Sequence, residues 1–211
     1  MKMGVLGSGQ VGQVLAKGLL DLGHDVKIGT RSVKPELAAW SKESGVATGT
    51  FQDVAEFGEV LVFAVLGSAA EEVIQLIGQD RFKGKIVMDV TNPLAFGPQG
   101  PELTLGHTDS GGEWIQRLLP QARVVKAFNS VGNAHMVHPK FEQGPPTMFI
   151  AGNDADAKKW VSDLSQAWGW DAVDTGTIES SRFLEPLCLL WVKFGLATGT
   201  WNHAFKLLRQ A

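Results

Sequence analysis

The sequence predicts an α/β fold with a doubly wound parallel sheet and a small C-terminal α/β extension. Short apolar runs typical of buried strands alternate with helical patterns through the first two thirds of the 211-residue chain. The first of these runs ends in closely spaced glycines that lead directly into a helical pattern. With 44% hydrophobic and 19% charged residues, the chain has an ordinary globular balance and can bury a core.

Strand and helix signals alternate regularly up to residue 129. The predicted strands are 2–7, 25–30, 46–49, 59–67, 83–94 and 122–129. The helices between them are predicted at 11–23, 34–45, 51–58, 68–78 and 111–120. Gly23 indicates the end of the first helix, and Pro35 falls in the first turn of the second. Ser68 and Glu71 have the spacing of a capping box at the start of the fourth helix.

In the last third of the chain, strand and helix signals no longer alternate regularly. Two further strands are predicted at 147–152 and 171–176, and helices at 153–169, 179–199 and 200–210. Residues 130–146 have an irregular pattern. We therefore expect one domain over residues 1–130 and a small C-terminal segment over 131–211 that packs on it.

The composition excludes several classes of protein. A net charge of −3 argues against a nucleic-acid-binding surface, and one cysteine excludes an internal disulfide framework or a cysteine-rich metal site. The chain shows neither an apolar run of the roughly 20 residues that span a bilayer nor a signal-peptide pattern, so we expect a cytoplasmic protein without membrane contact. The absence of tyrosine excludes the tyrosine-plus-lysine chemistry of short-chain dehydrogenases.

Gly7, Gly9 and Gly12 follow the G-x-G-x-x-G pattern of Rossmann-type dinucleotide-binding folds. Glycine makes up 25 of the 211 residues, so the pattern gains its meaning from its position between a strand and a helix. Gly7 permits the tight turn, Gly9 the approach of a diphosphate, and Gly12 the close packing of helix on strand. The helix N-terminus adds free N–H groups for the phosphates. The alternative is a glycine-rich turn that binds nothing.

The residues after the second strand favour NADP over NAD. In NAD-binding domains an acid at this point hydrogen-bonds the ribose 2′-hydroxyl. Here Thr30 is followed by Arg31, Ser32 and Lys34, whose hydroxyls and cations suit a 2′-phosphate. Asp25 comes at the start of the strand, too early to contact the ribose. The alternative is that Arg31 and Lys34 are solvated surface charges.

The other strand ends indicate what the cofactor reacts with. They fall at 65–67, 91–94 and 129–132, where open α/β sheets bind ligands, and we expect Val65 and Leu66 to border the cofactor. These segments are apolar or neutral polar. Reduction of a ketone needs a proton donor beside the forming alkoxide, whereas a flavin-like ring takes up the charge itself. A flavin-like hydride acceptor therefore fits these neutral segments better than a ketone does.

Other chemistry-bearing side chains have plainer interpretations. His135 and His138 have a metal-like spacing without a recognisable third ligand, and we expect His135 to border the ring pocket instead. Cys188 lies in an apolar helix and is expected to be a buried thiol. Lys193 in that helix is either a general acid or a lysine that reaches solvent. The helix is apolar on more than one face, so it is either fully buried or shared with a second subunit, and the short C-terminal part favours a homodimer.

Several segments together resemble the F420-dependent NADP oxidoreductases. They are residues 1–32 and the stretches "FAVLG", "GKIVMDVTNPL", "VVKAFNSVG" and "SRFLEPLCLLWVKFG". The reductase domain of the STEAP metalloreductases is similar in its first half. The resemblance covers most of the chain, and "DVTNPL" and "KAFNSVG" carry it more specifically than the glycines do. It implies hydride transfer between NADPH and a deazaflavin by positioning alone, without a catalytic side chain.

The resemblance also implies which residues contact the ligands. The diphosphate loop corresponds to Gly7, Ser8, Gly9, Gln10 and Val11. The contacts to the 2′-phosphate correspond to Thr30, Arg31 and Lys34. The ring pocket corresponds to Asn92, Pro93, Asn129 and Val131, with His135 nearby.

The small-molecule acceptor is left open between coenzyme F420, a flavin and a ferric chelate, because the segment after the sixth strand differs from that expected of archaeal members. Two other hypotheses stand beside this one. The first is an imine or hydroxyacid reductase of the pyrroline-carboxylate or hydroxyisobutyrate type, with Lys193 as its acid. The second is a non-enzymatic NADPH-binding module. Residues 1–130 would hold NADP(H), and 131–211 would supply the acceptor cleft and the homodimer contacts.

Overall fold

The predicted alternation of strands and helices builds one twisted sheet in the computed structural model, which describes residues 1–210. The strands are β1 (Lys2–Leu6), β2 (Asp25–Thr30), β3 (Ala47–Thr50), β4 (Val60–Phe63), β5 (Ile86–Asp89), β6 (Leu94–Gly97), β7 (Gly100–Leu103), β8 (Arg123–Lys126), β9 (Thr147–Gly152) and β10 (Asp171–Asp174). Eight of them form a sheet in the order β10-β9-β8-β5-β4-β1-β2-β3, and β6 and β7 form a separate hairpin. All neighbours in the sheet are parallel except β8 and β9. The doubly wound α/β fold is confirmed.

Seven helices cover the sheet within the described residues. They are α1 (Gln10–Asp21), α2 (Pro35–Ser44), α3 (Phe51–Phe57), α4 (Ala70–Ile77), α5 (Gly111–Leu118), α6 (Ala155–Ala167) and α7 (Ser181–Thr198). The capping box predicted at Ser68 and Glu71 is wrong, because a 3₁₀ turn over Gly67–Ala69 precedes α4. A capping box forms instead at Thr50 and Asp53, at the start of α3. No helix within residues 1–210 is both long and apolar enough to cross a membrane.

The core lies on both faces of the sheet. On one face, Leu15 of α1 and Val161 of α6 pack against the sheet in a single buried cluster. On the other face, Val54 of α3, Ile74 of α4 and Ile115 of α5 form a second cluster. The first cluster contains residues from both sides of position 130, so the C-terminal segment shares its core with the N-terminal part.

The helix predicted over residues 200–210 is wrong. Gly199 adopts a left-handed conformation, with φ of 69°, that ends α7, and the residues after it have no regular secondary structure. The segment is held by other elements instead: the carbonyl of Phe205 accepts a hydrogen bond from the Thr147 N–H at 2.8 Å. The Trp201 ring packs against the Trp191 ring with centroids 5.2 Å apart. These tertiary contacts override the helical propensity of the segment.

The hairpin of β6 and β7 was not predicted. Its strands pair Leu94 with Leu103 and Gly97 with Gly100, so that Pro98 and Gln99 form the turn. The hairpin is fixed at its base, where Thr104 donates to the Pro93 carbonyl from its backbone N–H at 2.8 Å. The sequence signal was present, since two short runs flank a Gly-Pro-Gln-Gly turn. The hairpin matters because it borders the cleft described next.

Candidate dinucleotide and acceptor cleft

A cleft of about 890 Å³ opens at the carboxyl ends of β1, β2, β4 and β5. Strand β1 lies between β2 and β4, so the winding of the chain reverses there, and open α/β sheets bind ligands at such a point. Residues 7–11, 30–32, 34, 51, 64–69, 73, 90–92, 94 and 96 form its walls. Of the strand ends singled out in the sequence, 65–67 and most of 91–94 meet in this cavity, whereas 129–132 lies outside its walls.

The three motif glycines have different physical roles in this cleft. Gly7 has φ of 123°, and a Cβ atom there would lie 2.2 Å from the Ala64 carbonyl oxygen. A Cβ atom on Gly12 would lie 1.8 Å from the Gly7 carbonyl oxygen, so the helix could not pack against the loop. A Cβ atom on Gly9 would meet nothing within 4 Å, which leaves open space beside the backbone. This open space is where a diphosphate can approach.

The N-terminus of α1 borders that space. Its N-cap residue, Gly9, has no side chain and makes no capping hydrogen bond, so the N–H groups of the first turn are free for a ligand. Gln10 and Val11 of this turn line the cleft, and the aligned peptide dipoles add positive potential there. The loop is held by the Gln13 side chain, whose Nε2 donates to the Ser8 carbonyl at 2.9 Å.

Hydroxyls and cations lie where β2 ends. Thr30, Arg31, Ser32 and Lys34 all line the cleft, and Arg31 and Lys34 are the only charged residues in its walls within the described chain. The Arg31 guanidinium has a partner that the sequence did not indicate. Its Nη2 donates to Oε2 of Glu72 on α4 at 2.8 Å.

The predicted ring-pocket residues fall into two groups. Asn92 lines the cleft, and its Nδ2 donates to the Asn129 carbonyl at 2.8 Å, while Nδ2 of Asn129 donates to Oδ1 of Asn92 at 3.1 Å. Asn129 and Val131 are themselves buried and are not part of the cleft walls. Pro93 is outside the cleft lining and anchors the hairpin through its carbonyl. The structure thus joins Asn92 and Asn129 in one hydrogen-bonded pair.

Two comparisons relate this chain to a known family. Residues 2–93 match the family described as NADP oxidoreductase, coenzyme F420-dependent. A crystal structure from Arthrobacter sp. FB24, provisionally named an F420-dependent NADP-reductase, matches with a TM-score of 0.94 and 39% identity over 99% of this chain and 100% of that one. The chain belongs to the F420-dependent NADP oxidoreductase family. It is thus an NADP-dependent oxidoreductase, as the resemblance in its sequence implied.

The relatives of this family member that are less similar in sequence are longer than this chain. Metalloreductase STEAP3 of Rattus norvegicus is 33% identical over 192 residues, which cover 90% of this chain and 37% of the relative. The chain therefore spans about two fifths of the length of the curated relatives it matches. An imine reductase from Aspergillus terreus has a TM-score of 0.65 at 20% identity over 94% of this chain and 63% of that one, a likeness of fold.

Sequence reasoning missed a buried ionic cluster behind the cleft of this oxidoreductase. Nζ of Lys126 lies 2.7 Å from Oδ2 of Asp89 and 2.9 Å from Oε1 of Glu185, and all three side chains are buried. Lys126 also donates to the Thr91 carbonyl at 2.9 Å. Burial alone would lower the pKa of Lys126, but Asp89 and Glu185 outweigh it and raise that pKa above its ordinary value.

The pairing of Asp89 with Lys126 could have been predicted from the two strands that carry them. Asp89 and Lys126 end two apolar runs, and the parallel register of β5 and β8 places them opposite each other. Glu185 comes from α7 and reaches α5, where its two carboxylate oxygens accept from the N–H groups of Gly111 and Gly112, each at 2.9 Å. That contact joins residues more than 70 positions apart, which no local pattern indicates.

The remaining candidate side chains lie outside the cleft lining. Nε2 of His135 is 3.3 Å from Oδ1 of Asn202, and its ring packs on Phe141. Within residues 1–210, no three His, Cys, Asp or Glu side chains group as a metal site. Cys188 is buried, which raises the pKa of its thiol to about 12 and keeps it protonated at neutral pH. Lys193 is exposed on α7.

Proposed function

We propose that this enzyme transfers a hydride between NADP(H) and a planar ring acceptor of the deazaflavin or flavin type. The observation that carries the proposal is the charge of the cleft: within the described chain its walls hold Arg31 and Lys34 and no carboxylate or histidine. Both cations follow β2, whereas the segments after β4 and β5 are neutral. An acceptor that needs no proton from a side chain fits such a site.

The cleft has residues suited to two parts of NADP(H), the diphosphate and the 2′-phosphate. The uncapped N-terminus of α1, with Gly9 open to the cleft, would bind the diphosphate. Arg31 and Lys34, with the hydroxyls of Thr30 and Ser32, would bind the 2′-phosphate. When bound, NADPH supplies the hydride, and the task of the protein is to hold the two reacting rings about 3–3.5 Å apart.

The acceptor side of the proposed site is apolar. Leu66 and Phe96 line the cleft although both are large, exposed hydrophobic side chains, and Phe96 is 72% exposed. Phe96 projects from the hairpin that is anchored at Pro93. An exposed aromatic ring on a fixed hairpin offers a stacking surface for a planar heteroaromatic acceptor. The Asn92 amide, held by Asn129, forms the polar part of the same wall.

The proposal predicts which acceptors oxidise NADPH. In a panel of coenzyme F420, FMN, FAD, a ferric chelate and a cyclic imine, we expect turnover with a deazaflavin or flavin and none with the imine. Phe96→Ala should raise KM for the ring acceptor about tenfold, because a stacking contact contributes roughly 1–1.5 kcal/mol. Phe183→Ala is the matched control, since Phe183 is also 72% exposed but lies on α7 outside the cleft lining.

Two results in this panel would contradict the proposal. NADPH that binds but is oxidised by no ring acceptor would favour the non-enzymatic binding module. Turnover of the imine that Lys193→Ala abolishes would favour the imine reductase with Lys193 as its acid. We expect Lys193→Ala to leave turnover of the ring acceptor unchanged, because Lys193 is exposed on α7 and is not part of the cleft walls.

We further propose that the protein is a homodimer formed through α7. One side of this helix buries Leu184 and Trp191, while Leu190 and Phe194 on another side are exposed. A second copy that covers this apolar face would remove it from water. Leu190→Asp should therefore halve the molar mass measured by sedimentation. A wild-type protein that sediments as a monomer at micromolar concentration would exclude this dimer.

A further inference from the structure

Glu72 holds the side chain that the proposed function assigns to the 2′-phosphate. Oε2 of Glu72 accepts from Nη2 of Arg31 at 2.8 Å, and the two side chains are 67% and 58% exposed. Glu72 lies in the first turn of α4, directly before Val73, which lines the cleft. The ion pair therefore spans from the end of β2 to α4 beside the proposed cofactor site.

A carboxylate in this place affects phosphate binding in two ways. Glu72 occupies Nη2 of the Arg31 guanidinium, so a 2′-phosphate that takes Nη2 as one of its two donors must displace Glu72 or share that nitrogen with it. The carboxylate also offsets one of the two cations in the cleft wall, Arg31 and Lys34, against a phosphate that carries nearly two negative charges. Neither effect acts on a cofactor that has a 2′-hydroxyl instead.

We propose that Glu72 is a specificity-determining residue that competes with the 2′-phosphate of NADP(H) for Arg31 and so limits the preference for NADP(H) over NAD(H). The inference depends on the proposed function, because it takes Arg31 as the 2′-phosphate contact. It assigns to Glu72 a weakening of NADP(H) binding. The exposure of both side chains allows the pair to open and close without disturbing the core.

The test is calorimetric binding of NADPH, NADH and 2′,5′-ADP to the wild type and to Glu72→Gln. We expect Glu72→Gln to bind NADPH and 2′,5′-ADP about fivefold more tightly, since an exposed ion pair contributes up to about 1 kcal/mol, and to bind NADH within twofold of the wild type. Glu71→Gln is the matched control: it removes the same charge one residue earlier on α4, where the carboxylate accepts from Gln75 and not from Arg31. We expect less than a twofold change for it.

A second variant separates competition for Arg31 from general repulsion of the phosphate. In an Arg31→Ala background, Glu72→Gln should no longer tighten NADPH binding, because the competition needs the guanidinium. A gain of the same size in that background, an equal gain for NADH, or no gain in the single variant would overturn the inference. If Arg31→Ala itself left NADPH binding unchanged, the proposed 2′-phosphate site would be the part that failed.

Discussion

Replacing Arg31 with glutamate is expected to raise the Kd for NADPH about 30- to 150-fold while changing the Kd for NADH less than about threefold. The loss combines a charge-assisted contact to the 2′-phosphate with repulsion by the new carboxylate, together about 2–3 kcal/mol. The new side chain would also face Glu72, which adds a second negative charge at the same point. Calorimetric titration with each cofactor measures both constants in one preparation.

The fold should tolerate this substitution, so the binding data can be interpreted directly. Arg31 is more than half exposed and its pair with Glu72 contributes less than about 1 kcal/mol to stability. Arg81→Glu is a suitable control, because Arg81 also forms an exposed ion pair, with Glu56, but lies outside the cleft lining. Weakening of NADH binding to the same extent as NADPH binding would show that the 2′-phosphate binds elsewhere.

The sequence predicted the cofactor end of the cleft because each of its signals is local. Gly7, Gly9 and Gly12 lie within one strand–turn–helix unit, and Thr30 ends a strand that Arg31, Ser32 and Lys34 follow. In a parallel sheet the ends of neighbouring strands meet at one edge, so local signals are enough to assemble the residues that line the cleft. The partner of Arg31 could not be found this way, since Glu72 is 41 positions away on α4.

The acceptor end was harder to predict, because burial and long-range contacts decide it. Asn129 and Val131 follow a strand as expected, yet the structure buries both of them outside the cleft walls. Phe96 reaches the cleft through a hairpin whose turn signal is short and lies directly after a strand end. The segment after Gly199 has a helical composition but is held by contacts with Thr147 and Trp191. Periodicity does not report such contacts.

Replacing Lys126 with methionine is expected to lower the free energy of unfolding by about 3–5 kcal/mol, the largest effect on stability that we predict. Lys126 is the cation shared by Asp89 and Glu185, all buried, and its Nζ lies 2.7 Å from Oδ2 of Asp89. Methionine fills a similar volume but leaves two carboxylates without a cation. The melting temperature should fall by about 10 °C, measured by calorimetry.

Two variants distinguish a missing cation from a packing defect. Lys159→Met makes the same substitution in an exposed pair with Asp163 and should cost less than about 1 kcal/mol. Adding Asp89→Asn and Glu185→Gln to Lys126→Met should restore part of the lost stability, because the neutral side chains no longer need a buried cation. The amide oxygen at position 89 can still accept from the Thr91 N–H, and the single amide oxygen at position 185 can accept from Gly111 or Gly112. A triple variant less stable than Lys126→Met would contradict this explanation.

The pH dependence of the Lys126 contribution follows from its pKa, which folding raises. A raised pKa means that the folded state holds the proton more tightly, so the contribution is complete below the ordinary lysine pKa and is lost as pH rises through the folded value. The triple variant has no titratable group at these three positions, so the difference in unfolding free energy between the wild type and that variant should stay constant from neutral pH to about pH 9. A difference that already shrinks over that interval would mean that Lys126 loses its proton inside the protein, and that Asp89 and Glu185 do not outweigh its burial.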